Sequence, residues 1–155
     1  ATACEKAGLL AATIAKATNA DIVRFGSLAE FAQYDPNMNV FALGNQLSYC
    51  NMGGTSISAA FNKINGKVYD RIILLSDNEA NSGSATSTAY KNYLRSVNIS
   101  PYVYCIDLAA YGTTPLKNDG KINYYYGYGY RMFDDITSKE FNPEMHIEKV
   151  RKIVI

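Results

Sequence analysis

A hydroxyl and a carboxylate stand out in this chain as a pair that could share a hard cation. Thr55 follows the break Gly53-Gly54, and Asp77 follows Ser76 at the end of the apolar run Ile72-Ile73-Leu74-Leu75. Mg²⁺ and Ca²⁺ take oxygen ligands of this kind, with water filling the remaining positions. Ser56, Asn78 and Glu79 lie beside the pair and extend the candidate ligand face. Each residue also has a plainer use. Thr55 or Ser56 suits the N-cap of a following helix, Asp77 suits a turn after a strand, and Asn78 and Glu79 suit an exposed loop. Other chemistries find less support. His146 is the sole histidine and has no cysteine or carboxylate cluster around it. Ser76 precedes an aspartate but lacks a G-x-S-x-G elbow and a partner histidine. Gly127-Tyr128-Gly129 lacks the third glycine of a dinucleotide loop, and there is no P-loop. A nucleotide-binding hydrolase would need a catalytic base near Asp77, and none is visible, so the reading is of a non-catalytic protein.

For Thr55 and Asp77 to meet, both must leave the same end of a sheet. Residues 2–18 read as a helix, with Ala3, Ala7, Leu10, Ile14 and Ala17 on one face and Asn19 as its stop. Residues 21–25 read as a strand and 28–34 as a half-exposed edge strand, joined as a hairpin through Gly26-Ser27. A short helix is expected at 39–48. Another starts near Thr55 or Ser56, holds Ile57, Ala60, Phe61 and Ile64 on one face, and ends near Asn65-Gly66. Residues 69–75 and 101–107 are near-continuous apolar strands of the kind buried on both faces of a parallel sheet, with a helix at 85–97 between them. A further strand is expected at 122–126 and a helical turn at 131–136. Asn142-Pro143 starts a last helix, with Ile147, Val150 and Val154 on one face to the end of the chain. Strands alternating with helices predict one α/β domain, residues 1–155, with a Rossmann-like, mostly parallel central sheet and helices on both faces. Ligands bind such sheets beyond the carboxyl ends of the strands. That selects the loops at 53–55, 76–84, 108–120 and 127–131.

The composition narrows the partners. Of 155 residues, 48% are hydrophobic and 19% charged, which is enough apolar material for a real core. The net charge of +1 provides no whole-domain attraction to a nucleic-acid backbone or an acidic membrane. No apolar run approaches the roughly 20 residues that cross a bilayer. Cys4, Cys50 and Cys105 form no C-x-x-C pair. An odd count with no visible signal peptide favours reduced thiols and a cytoplasmic setting, with Cys4 and Cys105 as small buried residues. Without an initiator methionine, the chain is expected to begin inside a longer product or after processing.

Gly53-Gly54-Thr55-Ser56, a helix, and a buried strand running into Ser76-Asp77-Asn78-Glu79 resemble the second half of a von Willebrand factor A (vWA) metal-ion-dependent adhesion site. Thr55 matches that family's threonine ligand and Asp77 its aspartate. The closest likeness is to the vWA domain of Ro/TROVE ribonucleoproteins. It includes the late Tyr-Gly-Tyr-x-x-Phe-Asp-x-Ile segment and a closing amphipathic helix. The resemblance implies a divalent cation, Mg²⁺ or Ca²⁺, and a cytoplasmic protein. It also implies docking on a ring of helical repeats that binds small noncoding RNA, with the metal face offered to an acidic protein ligand and no membrane involved. The family's Asp-x-Ser-x-Ser loop does not occur in this chain. By the resemblance, that loop and the first strand belong just before residue 2, and the strand lies centrally between those at 21–25 and 70–76. The expectation is therefore a sheet lacking its first central strand. The remainder of the same protein, or a neighbouring copy, would supply that strand, and these residues alone would bind metal weakly.

A cluster of tyrosines, Tyr124, Tyr125, Tyr126, Tyr128 and Tyr130, adjoins Arg131 and Lys121. Tyr128 and Arg131 complete the candidate ligand face. Stacking on RNA bases is one use of such a cluster. Tyrosines on an edge strand, with buried rings and wet hydroxyls, are the plainer one. A cell-surface or phage adhesion vWA domain with no RNA role is the alternative function. A signal peptide or a helical-repeat region upstream would separate the two.

Overall fold

The computed structural model describes residues 3–48, 56–76, 84–107, 121–126 and 152–154. Helix α1 spans Ala3–Thr18, and its alanines favour the helix at every turn. It stops at Asn19, as expected. Asn19 has φ 55° and donates its N–H to Ala15 O at 2.7 Å, the left-handed cap that asparagine tolerates better than most residues. Asn98 (φ 56°) closes the later helix α4, Ser84–Val97, in the same way. The buried stripe of α1 is Leu10, Ala11, Ile14 and Ala15, whereas Ala17, expected on that face, is exposed. The stripe is rotated because α1 must cover the sheet and meet α2, Val40–Leu47, at the same time. Asn39 caps α2, its Oδ1 accepting from Phe41 N at 2.9 Å and Ala42 N at 3.4 Å.

Among the described residues, six strands form one sheet: β1 Asp21–Phe25, β2 Ala29–Ala32, β3 Arg71–Ser76, β4 Tyr102–Asp107, β5 Ile122–Tyr126 and β6 Lys152–Val154. Their order is β2-β1-β6-β3-β4-β5. Only the β1–β2 hairpin is antiparallel, and β1, β6, β3, β4 and β5 run parallel. The expected α/β architecture with a mostly parallel sheet is therefore present. Side chains alternate between two cores, as the pleat requires. Ile22, Ile73, Leu75, Tyr104 and Ile106 lie with α1 and α2. Val23, Ile72, Leu74, Val103, Cys105 and Ile122 lie with α4 and with α3, Ile57–Lys63. Both sheet faces are dry, which is why β3 and β4 read as near-continuous apolar runs. Cys105 is fully buried, as expected.

The centre of the sheet departs from expectation. The position between β1 and β3 is not left for an outside strand but is taken by this chain's residues 152–154. Asp21 pairs with Ile153 and Ile22 with Val154 on one side. Arg71, Ile72 and Ile73 pair with Lys152, Ile153 and Val154 on the other. Residues 152–154, expected to lie in a closing helix that runs through Val154, are therefore strand. Two further rows of backbone groups would lack partners in an unfilled sheet, and the cost of leaving them unmet favours the strand. The expected turn at 131–136 and helix start at 142–143 lie outside the described residues. Among the described residues, no helix is long and apolar enough to cross a membrane.

Two tyrosines tie down the amino ends of the strands. Tyr69 donates to Asp21 Oδ2 at 2.6 Å, linking the segments that enter β3 and β1 across the position of β6. Tyr34 donates to Ala20 O at 2.6 Å, and its pKa is raised by burial first and by the Asp21 charge second. Tyr93, fully buried on α4 beside Phe61, donates to Lys67 O at 2.7 Å. Burial pushes its pKa up from 10.0 to about 12, against a weaker lowering through the backbone of Tyr69. A raised folded-state pKa means that the fold favours the neutral phenol. That contribution is whole below pH 10.0 and is lost as pH climbs through about 12. Urea unfolding measured from pH 9 to 12 should show this alkaline fall, and Tyr93→Phe should flatten it.

Candidate functional site

The carboxyl rim of the sheet is set by the ends of β1 at Phe25, β3 at Ser76 and β4 at Asp107, with Ser76 and Asp107 in register. The start of α3 is held to this rim. Ser56 N donates to Gly26 O, one residue beyond β1, at 2.7 Å. Ile57, fully buried directly after it, anchors the first turn in the core. Ser56 is the N-cap, with extended backbone (φ −130°, ψ 99°), and its Oγ accepts from Ala59 N at 3.2 Å. Ser58 Oγ lies 2.9 Å from Ser56 Oγ. Of the two hydroxyls the sequence offers as caps, Ser56 therefore takes the role. Its oxygen keeps some acceptor capacity beyond the cap, but two local partners already orient it.

The other candidate residues, Thr55, Asp77, Asn78, Glu79, Tyr128 and Arg131, lie outside the described residues, as does His146. Their immediate neighbours are placed. Ser56 stands at the carboxyl end of β1 and Ser76 at the carboxyl end of β3, with β6 as the single strand position between. Two inter-strand steps amount to roughly 10 Å. Among the described residues, no three His, Cys, Asp or Glu side chains gather into a metal-binding group. Any ion at this rim would be held mainly by residues of the loops, beside the described rim residues Ser56, Ser76 and Asp107.

Leu28 was read from the sequence as the start of the edge strand. It instead projects from the hairpin turn at this rim, 73% exposed. A bulky apolar residue beside Gly26-Ser27 was the available signal. Lys63 and Lys67 were not singled out by the sequence because their grouping around Phe31 joins α3, the following loop and β2. No protein-family model matches the chain, and no curated protein matches it. The fold and rim therefore define a class no narrower than an α/β domain with a mostly parallel sheet.

Proposed function

We propose that the chain is a vWA-type binding module of the Ro/TROVE kind, non-catalytic and cytoplasmic, whose carboxyl rim holds a divalent cation through Thr55 and Asp77. The observation that carries this reading is the 2.7 Å bond from Ser56 N to Gly26 O. It brings the α3 start, to which Thr55 is bonded, to the same rim as Ser76, to which Asp77 is bonded. Hydroxyl and carboxylate oxygens suit Mg²⁺ or Ca²⁺. With the ion's shell incomplete, an acidic group on a protein ligand would fill it, with Asn78, Glu79, Tyr128 and Arg131 around the contact. In this reading the RNA, a small noncoding species, belongs to a separate helical-repeat ring against which the domain docks.

Titration calorimetry with Mg²⁺ and Mn²⁺ tests the metal site. The wild-type chain should bind weakly, and Asp77→Asn should weaken binding further, by at least the roughly 10–100-fold that losing a group which only supports a ligand costs a metal site. Ser56→Ala should leave affinity unchanged and cost about 1 kcal/mol of stability through loss of the cap. Unchanged metal binding in Asp77→Asn would end the reading. A purified intact protein with no RNA bound, but with cation-dependent capture of an acidic protein, would move the assignment to an adhesion domain.

A further inference from the structure

We propose that the outer edge of β2 is a docking edge for an extended acidic peptide, which adds to the sheet as a further strand. This surface is independent of the carboxyl-rim cation reading. Among the described residues, strand β2 is the terminal strand of the sheet, paired to β1 alone. Gly26 N donates to Leu28 O at 2.7 Å, which fixes the phase of the hairpin. Hydrogen-bonded pairs alternate in an antiparallel ladder. Arg24–Glu30 and Ile22–Ala32 are therefore the pairs that exchange backbone bonds, and Ala29 and Phe31 turn their N–H and C=O groups outward. The same phase turns Gln33 outward, and its carbonyl accepts from Gln46 Nε2 at 3.5 Å. Helix α2 thus takes over the edge just beyond Ala32, which limits the open stretch to residues 29–31 and their flanks.

The charge beside that stretch selects the occupant. Lys67 Nζ lies 4.4 Å and Lys63 Nζ 5.8 Å from the centroid of the Phe31 ring. Two ammonium groups thus converge on one side chain of the edge strand. Glu30 cannot neutralise them. Its side chain is on the opposite sheet face, where it meets Arg24 at 3.9 Å. Lysines beside an edge deter pairing with another copy of the same edge. The same charges favour a strand carrying carboxylates. On an added strand, the residue opposite Phe31 would place its Cβ about 5 Å from that of Phe31, beneath both ammonium groups. Alternate outward N–H and C=O groups match a peptide backbone. A phosphodiester has acceptors only and leaves the outward carbonyls unmet.

Fluorescence anisotropy with a labelled heptapeptide alternating valine and glutamate tests this, with a valine–lysine heptapeptide as its counterpart. The wild-type chain should bind the acidic peptide and not the basic one. Ala29→Pro removes one outward N–H without touching the ladder to β1 and should abolish binding. Lys63→Gln with Lys67→Gln, both exposed positions, should weaken it roughly tenfold. Failure of the wild type to prefer the acidic peptide overturns the proposal. So does unchanged affinity in either variant once circular dichroism shows it folded; if Ala29→Pro does not fold, the lysine variant decides alone. Poly-uridine that displaces the peptide, and depends on the lysines but not on Ala29, would assign the lysines to nucleic acid and overturn it as well.

Discussion

Deleting residues 152–155 should cost the domain roughly 4 kcal/mol, since several ladder hydrogen bonds at about 1 kcal/mol each are lost at once. Strand β6 is short, but it pairs on both sides, at two positions of β1 and three of β3. Its removal splits the sheet into a β2–β1 hairpin and a β3–β4–β5 unit. Each is left with a new row of unpaired backbone groups on an apolar strand, a template for association. A loss of about 4 kcal/mol is a large share of the 5–15 kcal/mol typical of a domain. Urea unfolding should show an earlier midpoint, and light scattering should show aggregation on storage. A truncated chain with the midpoint of the intact one would mean that β6 contributes nothing to the sheet.

Gly8→Val should be nearly as damaging, for a different reason. Helices α1 and α2 cross at Gly8. A Cβ there would meet Gly44 O at 2.5 Å, Ser48 Cβ at 2.7 Å and Ser48 N at 2.8 Å. Two of those atoms are backbone and cannot rotate away. Replacing a helical glycine ordinarily helps by up to about 1 kcal/mol. Here that gain is outweighed, because relief requires the helices to part and open the core around Leu10, Ile14, Leu43 and Leu47. A loss of roughly 3 kcal/mol follows, the upper end of overpacking effects, or a melting temperature lower by around 10 °C. Gly44→Ala is the control. Its Cβ would meet Leu9 Cα at 3.2 Å, so propensity gained and contact strained should nearly cancel in a thermal melt.

The elements that could be read from the sequence are those with a local cause. Asn39 and Ser56 cap helices because short polar side chains reach the free N–H groups of a first turn. The runs at β3 and β4 are near-continuously apolar because both their faces are covered. What escaped has a non-local cause. Lys152-Ile153-Val154 is too short to distinguish a period of 3.6 from a period of 2. The β-branched run Ile153-Val154-Ile155 was the hint of strand. That this segment should sit between β1 and β3 depends on contacts more than 75 residues away. The candidate site was legible as residue types at a rim, through Gly53-Gly54-Thr55 and Ser76-Asp77. Its geometry is described at Ser56 and at the strand ends.

The hydrogen bond from Tyr69 to Asp21 has a bearing on how the sheet is assembled. It joins the entries to β1 and β3 without passing through the strand between them, so the width of that central position is gauged by side chains lying outside it. In the folded domain the entries to β1 and β3 are thus held to each other both by this side-chain bond and through the ladders of β6.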